Sequence, residues 1–388
     1  MSNIYNLDIL RDEEVCAAVD RNIECDPAVV ALKRGVPSPQ VVATQVKYLQ
    51  RARRKLPTLY ASRCVIPPRA FEQSSSEESA ERKPLNGESC LDLTCGLGID
   101  SMALARRFRR VVALERDTDL AEVVRHNMAL MGIDNVEVVS SSAEEYVASC
   151  SEQFDWVFVD PDRRSEAGNK MVCMEDCSPN ILELMPRLRE LSRRVAIKLS
   201  PMFDCAEAFR LLSPAEVEVV SIAGECKELN IYTGAERNIL RIAVIGQGEW
   251  EFSEKDMTTT PSRVAFECGD WRYLHLPDVA LQKARVAIAA FRGRAEMWSN
   301  NGFAFSREML DVALPCRSYE IVSVERYHPK ELKRRYRGVG LDIIKRDTQL
   351  SVDAVRKALG ARSGSEVVVA LTSIESETYI IEIKPITK

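Results

Sequence analysis

With 388 residues the chain exceeds one domain of usual size, and its 46% hydrophobic content is ample for two to four packed units with cores of their own. No apolar run approaches membrane-spanning length, and the opening MSNIYNLDILRDEEV has neither a basic start nor an apolar segment, so no membrane partner and no signal peptide are expected and the cytoplasm is the expected location. The formal charge is −5; the twelve cysteines are scattered, there are three histidines and no Cys-x-x-Cys, so the thiols read as reduced core residues and no metal is expected.

Residues 1–87 read as a helical region. Helical apolar spacing runs through Asp8–Val19, Asp26–Lys33 and Ser38–Arg53, the last opening on Pro-Ser-Pro and stopped by Lys55-Leu56-Pro57. The segment Phe71–Lys83, FEQSSSEESAERK, is rich in Ser and Glu and reads either as a solvated linker or as a helix start, with Ser75 as cap and Glu78 as its capping-box partner.

The next segment, Leu91–Asp100, is LDLTCGLGID: an apolar strand carrying a carboxylate that runs into a Gly-x-Gly turn and an amphipathic helix. Gly96 and Gly98 allow a sharp turn and close backbone approach to a ligand. Asp92 is expected to project negative charge into that crevice, which repels a pyrophosphate and welcomes a cationic amino group such as that of S-adenosylmethionine. Ser101 stands where a dinucleotide fingerprint wants its third glycine, which weighs against a nicotinamide enzyme. Strand Val111–Leu114 ends at Glu115, 23 residues after Asp92, where a carboxylate accepts both hydroxyls of an adenosine ribose. Helix Thr118–Met131, strand Val136–Val139 and the polar loop Ser141–Glu144 follow, the loop placed to meet an adenine edge. Strand Trp156–Val159 then delivers Asp160-Pro161-Asp162-Arg163-Arg164 to the same rim. A lone glycine turn decides nothing; the conjunction of these strand ends is specific.

On these motifs the chain resembles the class I S-adenosylmethionine-dependent methyltransferases, in which a D/N-P-P-aromatic sequence after the fourth strand holds the group to be methylated. The resemblance implies an α/β fold: a Rossmann-like, seven-stranded class I methyltransferase core. It also implies S-adenosyl-L-methionine as cofactor, with Gln73, Asp92, Thr94, Gly96, Gly98, Asp100, Glu115, Arg116, Ser142, Ala143 and Asp160 as the candidate contacts. Asp160 and the Pro161 carbonyl are the candidates for orienting an acceptor amine, with Asp162 and Arg163 beside them. Asp162 replaces the family's second proline and Arg163 its aromatic residue; a guanidinium plane there can stack on a base or bind phosphate. In-line transfer to a positioned lone pair needs no strong general base.

A fifth strand, Arg194–Leu199, ends in Ser200-Pro201, followed by helix Asp204–Leu212. A pyrimidine-carbon mechanism needs a pocket cysteine, and only Cys205, on that helix, is near. Cys173-x-x-x-Cys177 opens like a radical iron–sulfur signature, but Asn180 holds the third position, which excludes that chemistry. Strands Val217–Ile222 and Ile239–Ile245 read as an antiparallel pair closing the cofactor domain at 88–247, with Gly224–Leu229 as a charged turn between them.

Residues 248–316 read as a small α/β unit with strand-like Tyr273–Pro277, a helix Asp278–Phe291 and a loop at Trp298–Gly302. Residues 317–388 read as strand Glu320–Val324, helix Pro329–Arg335, strand Leu341–Lys345, a helix capped by Ser351 and a hairpin of Val367–Leu371 with Tyr379–Ile383. Across Arg326–Arg346 eight Lys/Arg face only Glu331 and Asp342, with Tyr327 and Tyr336 interleaved as stacking faces. Lys330, Lys333, Arg334, Arg335, Arg337 and Lys345 are therefore candidate RNA-binding residues, against the plainer reading of a solvated helix face.

Taken whole, the chain resembles a bacterial subgroup of these methyltransferases with a ferredoxin-like insert at 248–316 and a THUMP-like domain at 317–388, that is, small C-terminal α+β domains behind an N-terminal helical region. That resemblance implies RNA modification, on a tRNA or rRNA. A binding or adaptor protein that has lost turnover, or a protein or small-molecule methyltransferase, is the alternative.

Overall fold

Helix starts in the N-terminal region follow from single capping residues. In the computed structural model, which describes residues 7–163, 174–311 and 313–386, Asp12 accepts from the Glu14 and Val15 amides and so divides the first expected helix into Leu7–Arg11 and Glu13–Arg21. Helices Pro27–Leu32 and Pro39–Lys55 begin on prolines, whose missing amide donor is harmless in a first turn. Val42, Val46 and Leu49, spaced along one face of the second of these, are fully buried. Arg164 and Cys173 lie outside the described residues, as does the Arg163 side chain.

By contacts the chain falls into two compact units: the described residues up to Lys198 with Tyr232–Gly234, and Leu199–Ile231 with the described residues from Ala235. In the first unit β1 (Gly87–Asp92), β2 (Phe108–Glu115), β3 (Val136–Ser140), β4 (Trp156–Val159) and β7 (Val195–Leu199) run parallel in the order β3-β2-β1-β4-β7. Such strands are covered on both faces, which is why they read as near-continuous apolar runs; all four residues of β4 are buried. Helices Ile99–Ala105 and Thr118–Leu130 make the crossovers. A short ladder of β5 (Asp162–Arg163) with β6 (Cys177–Ser178) stands at the exit of β4.

In the second unit β8 (Ala215–Ile222), β9 (Glu225–Thr233), β10 (Ile239–Val244) and β11 (Gly248–Phe252) are ordered β11-β10-β8-β9. Strands β8 and β10 are parallel, not the expected antiparallel pair, and the charged Gly224–Leu229 segment is a turn only at its start, running from Glu225 into β9. The seven expected strands correspond to β1–β4, β7, β8 and β10; β9 and β11 are additional.

The rest of this unit is one eight-stranded sheet: β12 (Tyr273–Pro277), β13 (Glu296–Met297), β14 (Ala304–Ser306), β15 (Cys316–Arg326), β16 (Gly340–Lys345), β17 (Arg362–Ser363), β18 (Val367–Ile374) and β19 (Glu377–Pro385), in the order β13-β14-β12-β15-β19-β18-β16-β17. Segments 248–316 and 317–388 thus contribute strands to the same sheet, joined where β12 pairs antiparallel with β15. Helices Pro329–Tyr336 and Val352–Leu359 follow β15 and β16; Ser351 caps the latter and Gly360 closes it in the left-handed conformation. The expected single helix over Asp278–Phe291 is two short ones, Val279–Lys283 and Ala287–Phe291, broken at Arg285, which has φ +57°. Among the described residues no helix is long and apolar enough to cross a membrane.

Candidate cofactor and acceptor site

The carboxyl ends of β1, β2, β3 and β4 open onto a cavity of about 410 Å³ inside the first unit. Its wall includes Gln73, Thr94, Gly96, Asp100, Glu115, Arg116, Ser142, Ala143, Asp160 and Asp162, so the structure brings together most of the residues singled out from the sequence. They arrive there because parallel crossovers return every strand to the same edge, where open α/β sheets take their ligands.

Asp92 and Gly98 do not line it. Asp92 is fully buried, accepting from the Thr94 amide at 3.0 Å and from the Ser101 hydroxyl, and burial pushes its carboxyl up to about 7. It therefore organises the turn beneath the cavity instead of offering charge to a ligand, a correction to its expected role. Ser101, noted only as the missing third glycine, supplies the hydroxyl that makes the burial tolerable. Gly98 has φ +84°, and a Cβ there would come within 2.9 Å of the Met128 side chain and 3.0 Å of Val124.

Gly96, at φ +55°, faces open space instead. Its amide donates to Glu115 Oε2 at 2.9 Å, and the Asp117 amide donates to Oε1 at 2.9 Å. Each carboxylate oxygen retains a lone pair for a further donor, and burial, the largest influence, raises the Glu115 carboxyl. Ser142 caps helix Ala143–Ser149 in a capping box with Glu145, which fixes the loop at the end of β3. Arg116 donates to the Ser178 hydroxyl at 3.3 Å.

A buried ionic network forms the other side. Lys83 donates to Asp100 Oδ1 at 2.7 Å, the Ser75 hydroxyl to Asp100 Oδ2 at 2.6 Å, and Lys198 to the Ser75 oxygen at 2.7 Å. Lys198 lies 3.6 Å from Asp100 and is ion-paired with Asp160 Oδ2. Burial alone would raise the Asp100 carboxyl, but Lys83 and then Lys198 hold it well below the ordinary carboxylate range. For Asp160 burial prevails over Lys198 and the pKa moves up. The Asp160 amide donates to Thr94 Oγ1 at 2.7 Å, tying the end of β4 to the turn after β1.

Ser75 is not the helix cap; Ser76 caps Glu77–Glu81, which frees the Ser75 hydroxyl for Asp100 and Lys198. Lys198 and Lys83 were missed as site residues, although a lysine inside the apolar run Val195–Leu199 signals a charge that must find a partner. Cys95, on the cavity wall, is fully buried and its thiol is pushed well above the ordinary range by burial, so it is not a poised nucleophile.

The fit to S-adenosylmethionine rests on this donor set. Glu115 presents acceptors for vicinal hydroxyls and Gly96 leaves room at the turn, while Asp100 and Asp160 are already matched by Lys83 and Lys198.

In the second unit Lys330, Lys333, Arg334 and Arg337 are exposed and Lys345 is half-buried. Arg335 is ion-paired with Glu325 and Glu382 and lies over the Tyr336 ring. Tyr336 is 2% exposed, so it is a core residue and not a stacking face; Tyr327 is half-buried.

Residues 70–176 match the family described as Conserved hypothetical protein 95, and residues 316–385 match the THUMP domain-like family. An uncharacterised S-adenosylmethionine-dependent methyltransferase of Mycobacterium tuberculosis is 25% identical over 331 residues, covering 82% of this chain and 87% of the relative. A 23S rRNA uracil-C5 methyltransferase of Vibrio parahaemolyticus is 29% identical over 169 residues, 42% of this chain and 38% of that protein. A crystal structure from Porphyromonas gingivalis W83, whose name proposes a methyltransferase, superposes with a TM-score of 0.82 at 23% identity, covering 97% of this chain and 99% of that one.

Proposed function

We propose that this chain, a class I S-adenosylmethionine-dependent methyltransferase with a THUMP-like C-terminal domain, methylates RNA, a tRNA or rRNA of the cytoplasm. The observation that carries the reading is the convergence, on one cavity, of Gly96, Glu115, Ser142 and Asp160 from four successive strand ends. Glu115 would hold the cofactor's ribose, the Ser142–Ala143 loop its adenine edge, and Gly96 would allow its close approach; Gln73 and Arg116 border the opening. The bound cofactor supplies an electrophilic methyl on a sulfonium.

The residues of the chain do the positioning. Asp160, on the cavity wall, would hold the acceptor together with the carbonyl of the buried Pro161 that follows it, and Lys198 fixes the Asp160 carboxylate through Oδ2, leaving Oδ1 to receive a hydrogen from the acceptor. The Lys83–Asp100–Lys198 chain holds that geometry from behind. Asp162, exposed on the wall and paired through its backbone with Ser178, lies beside it with Arg163 as the next residue of the same strand. RNA as substrate is supported by the relatives that act on rRNA and tRNA and by the THUMP domain-like match. The uracil-C5 route of those relatives is not adopted, because among the described residues the thiol on this wall is that of Cys95, which is buried in the turn after β1. The four-part division at 1–87, 88–247, 248–316 and 317–388 belongs to the same proposal: helical cover, cofactor domain, and two RNA-facing segments.

Labelled S-adenosylmethionine incubated with total RNA from cells lacking this gene tests the reading. Label should enter RNA with the wild-type protein; label confined to protein or small molecules would overturn it.

A further inference from the structure

Within the second unit lies another cavity, of about 320 Å³: Arg317 and Arg346 line it together with Asp278, Gln247 and the turn at Gly224. Arg346 follows β16 directly, and its amide is fixed to the Leu371 carbonyl at 2.9 Å, so the origin of its side chain is set by the sheet. The Arg346 Nε is buried and has no hydrogen-bond partner among the described residues. A buried guanidinium donor left unmade is costly, and one retained beside a second guanidinium needs an anion to repay it. Asp278 is only half an answer. Its Oδ1 accepts from the Ser221 hydroxyl at 2.6 Å and the Ala280 amide at 2.9 Å, and neither arginine forms an ion pair with it. Burial, and then Arg317, hold the Arg346 guanidinium below its ordinary value against the pull of Asp278, yet arginine stays protonated in proteins. Two arginines and one carboxylate leave the cavity with one net positive charge.

We infer that this cavity is a phosphodiester subsite, in which Arg317 and Arg346 hold one backbone phosphate of the RNA substrate. A phosphodiester carries a single negative charge, which balances the cavity, whereas a free phosphate dianion would leave a surplus beside Asp278. Guanidinium forks match phosphate oxygens in a bidentate way that lysines do not. Asp278 lines the same cavity, and its second carboxylate oxygen would accept from a ribose hydroxyl, a contact that only RNA offers at its 2′ position. The inference rests on RNA being the substrate, and it adds where in the second unit the strand is held.

The test is binding of a labelled single-stranded RNA oligonucleotide to the full-length protein, for wild type, Arg317→Gln, Arg346→Gln and the double variant, across a salt series. Circular dichroism monitors the fold, and S-adenosylmethionine affinity is measured alongside. The double variant should bind RNA about tenfold more weakly, with a salt slope lower by about 1.4, from roughly 0.7 per lost contact on a single strand. Cofactor affinity should be unchanged, and Asp278→Asn should narrow the preference for RNA over a DNA oligonucleotide of the same sequence. Inorganic phosphate serves as a second probe. Phosphate binding that disappears in the variants while RNA affinity and slope stay at wild-type values would make the cavity a small-anion site and overturn the inference alone. Variants equal to wild type with both probes would also overturn it alone. A wild-type protein that does not bind RNA would overturn both this inference and the proposed function. Should Arg346→Gln misfold, Arg317→Gln, at an exposed residue, carries the test.

Discussion

In the first unit Lys83, Asp100 and Lys198 are withdrawn from solvent and bound to one another and to the half-buried Asp160, with the Lys83 side chain 3% exposed. In the second, Lys330, Lys333, Arg334 and Arg337 stand on or beside a helix that buries only Leu332 and Tyr336. The contrast shows two uses of charge. Buried ions fix a geometry to within a hydrogen bond, because each must keep its partner; exposed cations fix nothing and remain available to a polyanion.

The largest expected effect breaks the first half of that contrast. Lys198→Met removes one member of a buried network and should cost about 3–5 kcal/mol in urea unfolding, whereas Lys333→Met should stay within about 0.5 kcal/mol. Equal effects would mean that the buried network contributes no more than a surface charge.

The second expectation sharpens the comparison, since the second unit also buries one titratable ring. His275 is fully buried, accepts and donates between the Ser318 and Ser306 hydroxyls at 2.8 Å each, and is depressed by burial to about 4. A histidine whose folded pKa lies below the unfolded value of about 6.5 binds its proton more readily when unfolded. Stability is therefore intact above that value and is lost as the pH falls toward 4, by about 2–3 kcal/mol. Asp92, raised to about 7, has the opposite sign: its contribution is present at low pH and lost as the pH rises through 7. The difference in unfolding free energy between wild type and His275→Gln should accordingly shrink between pH 7 and pH 4; a difference independent of pH would show that the ring is not held neutral.

Smaller again, Glu115→Ala should weaken S-adenosylmethionine binding by about 1–3 kcal/mol in calorimetry, the order for unpaired polar groups at a buried ribose. Unchanged affinity would remove Glu115 from the site. Smallest in stability, Lys333→Gln with Arg334→Gln should leave unfolding untouched and lower the salt slope of RNA binding by about 1.4. Arg335 is left out of that pair because Glu325 and Glu382 already occupy it. An unchanged slope would return the helix to a solvated surface.

The strand ends of the cofactor cavity were legible because each combines an apolar run with a residue that only a turn or a ligand explains: Gly96, Glu115, Ser142, Asp160. The C-terminal elements were legible for a similarly local reason, with Ser351 capping its helix and the Val367–Leu371 hairpin pairing as read. What escaped was set by distance. Lys198 finds Asp160 38 positions away and Ser75 123 positions away, and nothing in the run VAIKL names those partners. Ser75 and Ser76 are indistinguishable as caps until one is drawn to Asp100. The orientation of β10 against β8 escaped because β9 carries Glu225, Lys227 and Glu228 at its start and so resembles a turn.

The central claim, that Asp160 positions the acceptor while the Gly96–Glu115 side holds the cofactor, is tested most directly by measuring two quantities on one variant. For Asp160→Ala, S-adenosylmethionine affinity by calorimetry should stay within about twofold of wild type while methyl transfer to RNA falls by about a hundredfold or more, as expected for loss of a positioning contact. Parallel losses in affinity and turnover would contradict the account and place Asp160 in cofactor binding or in the fold.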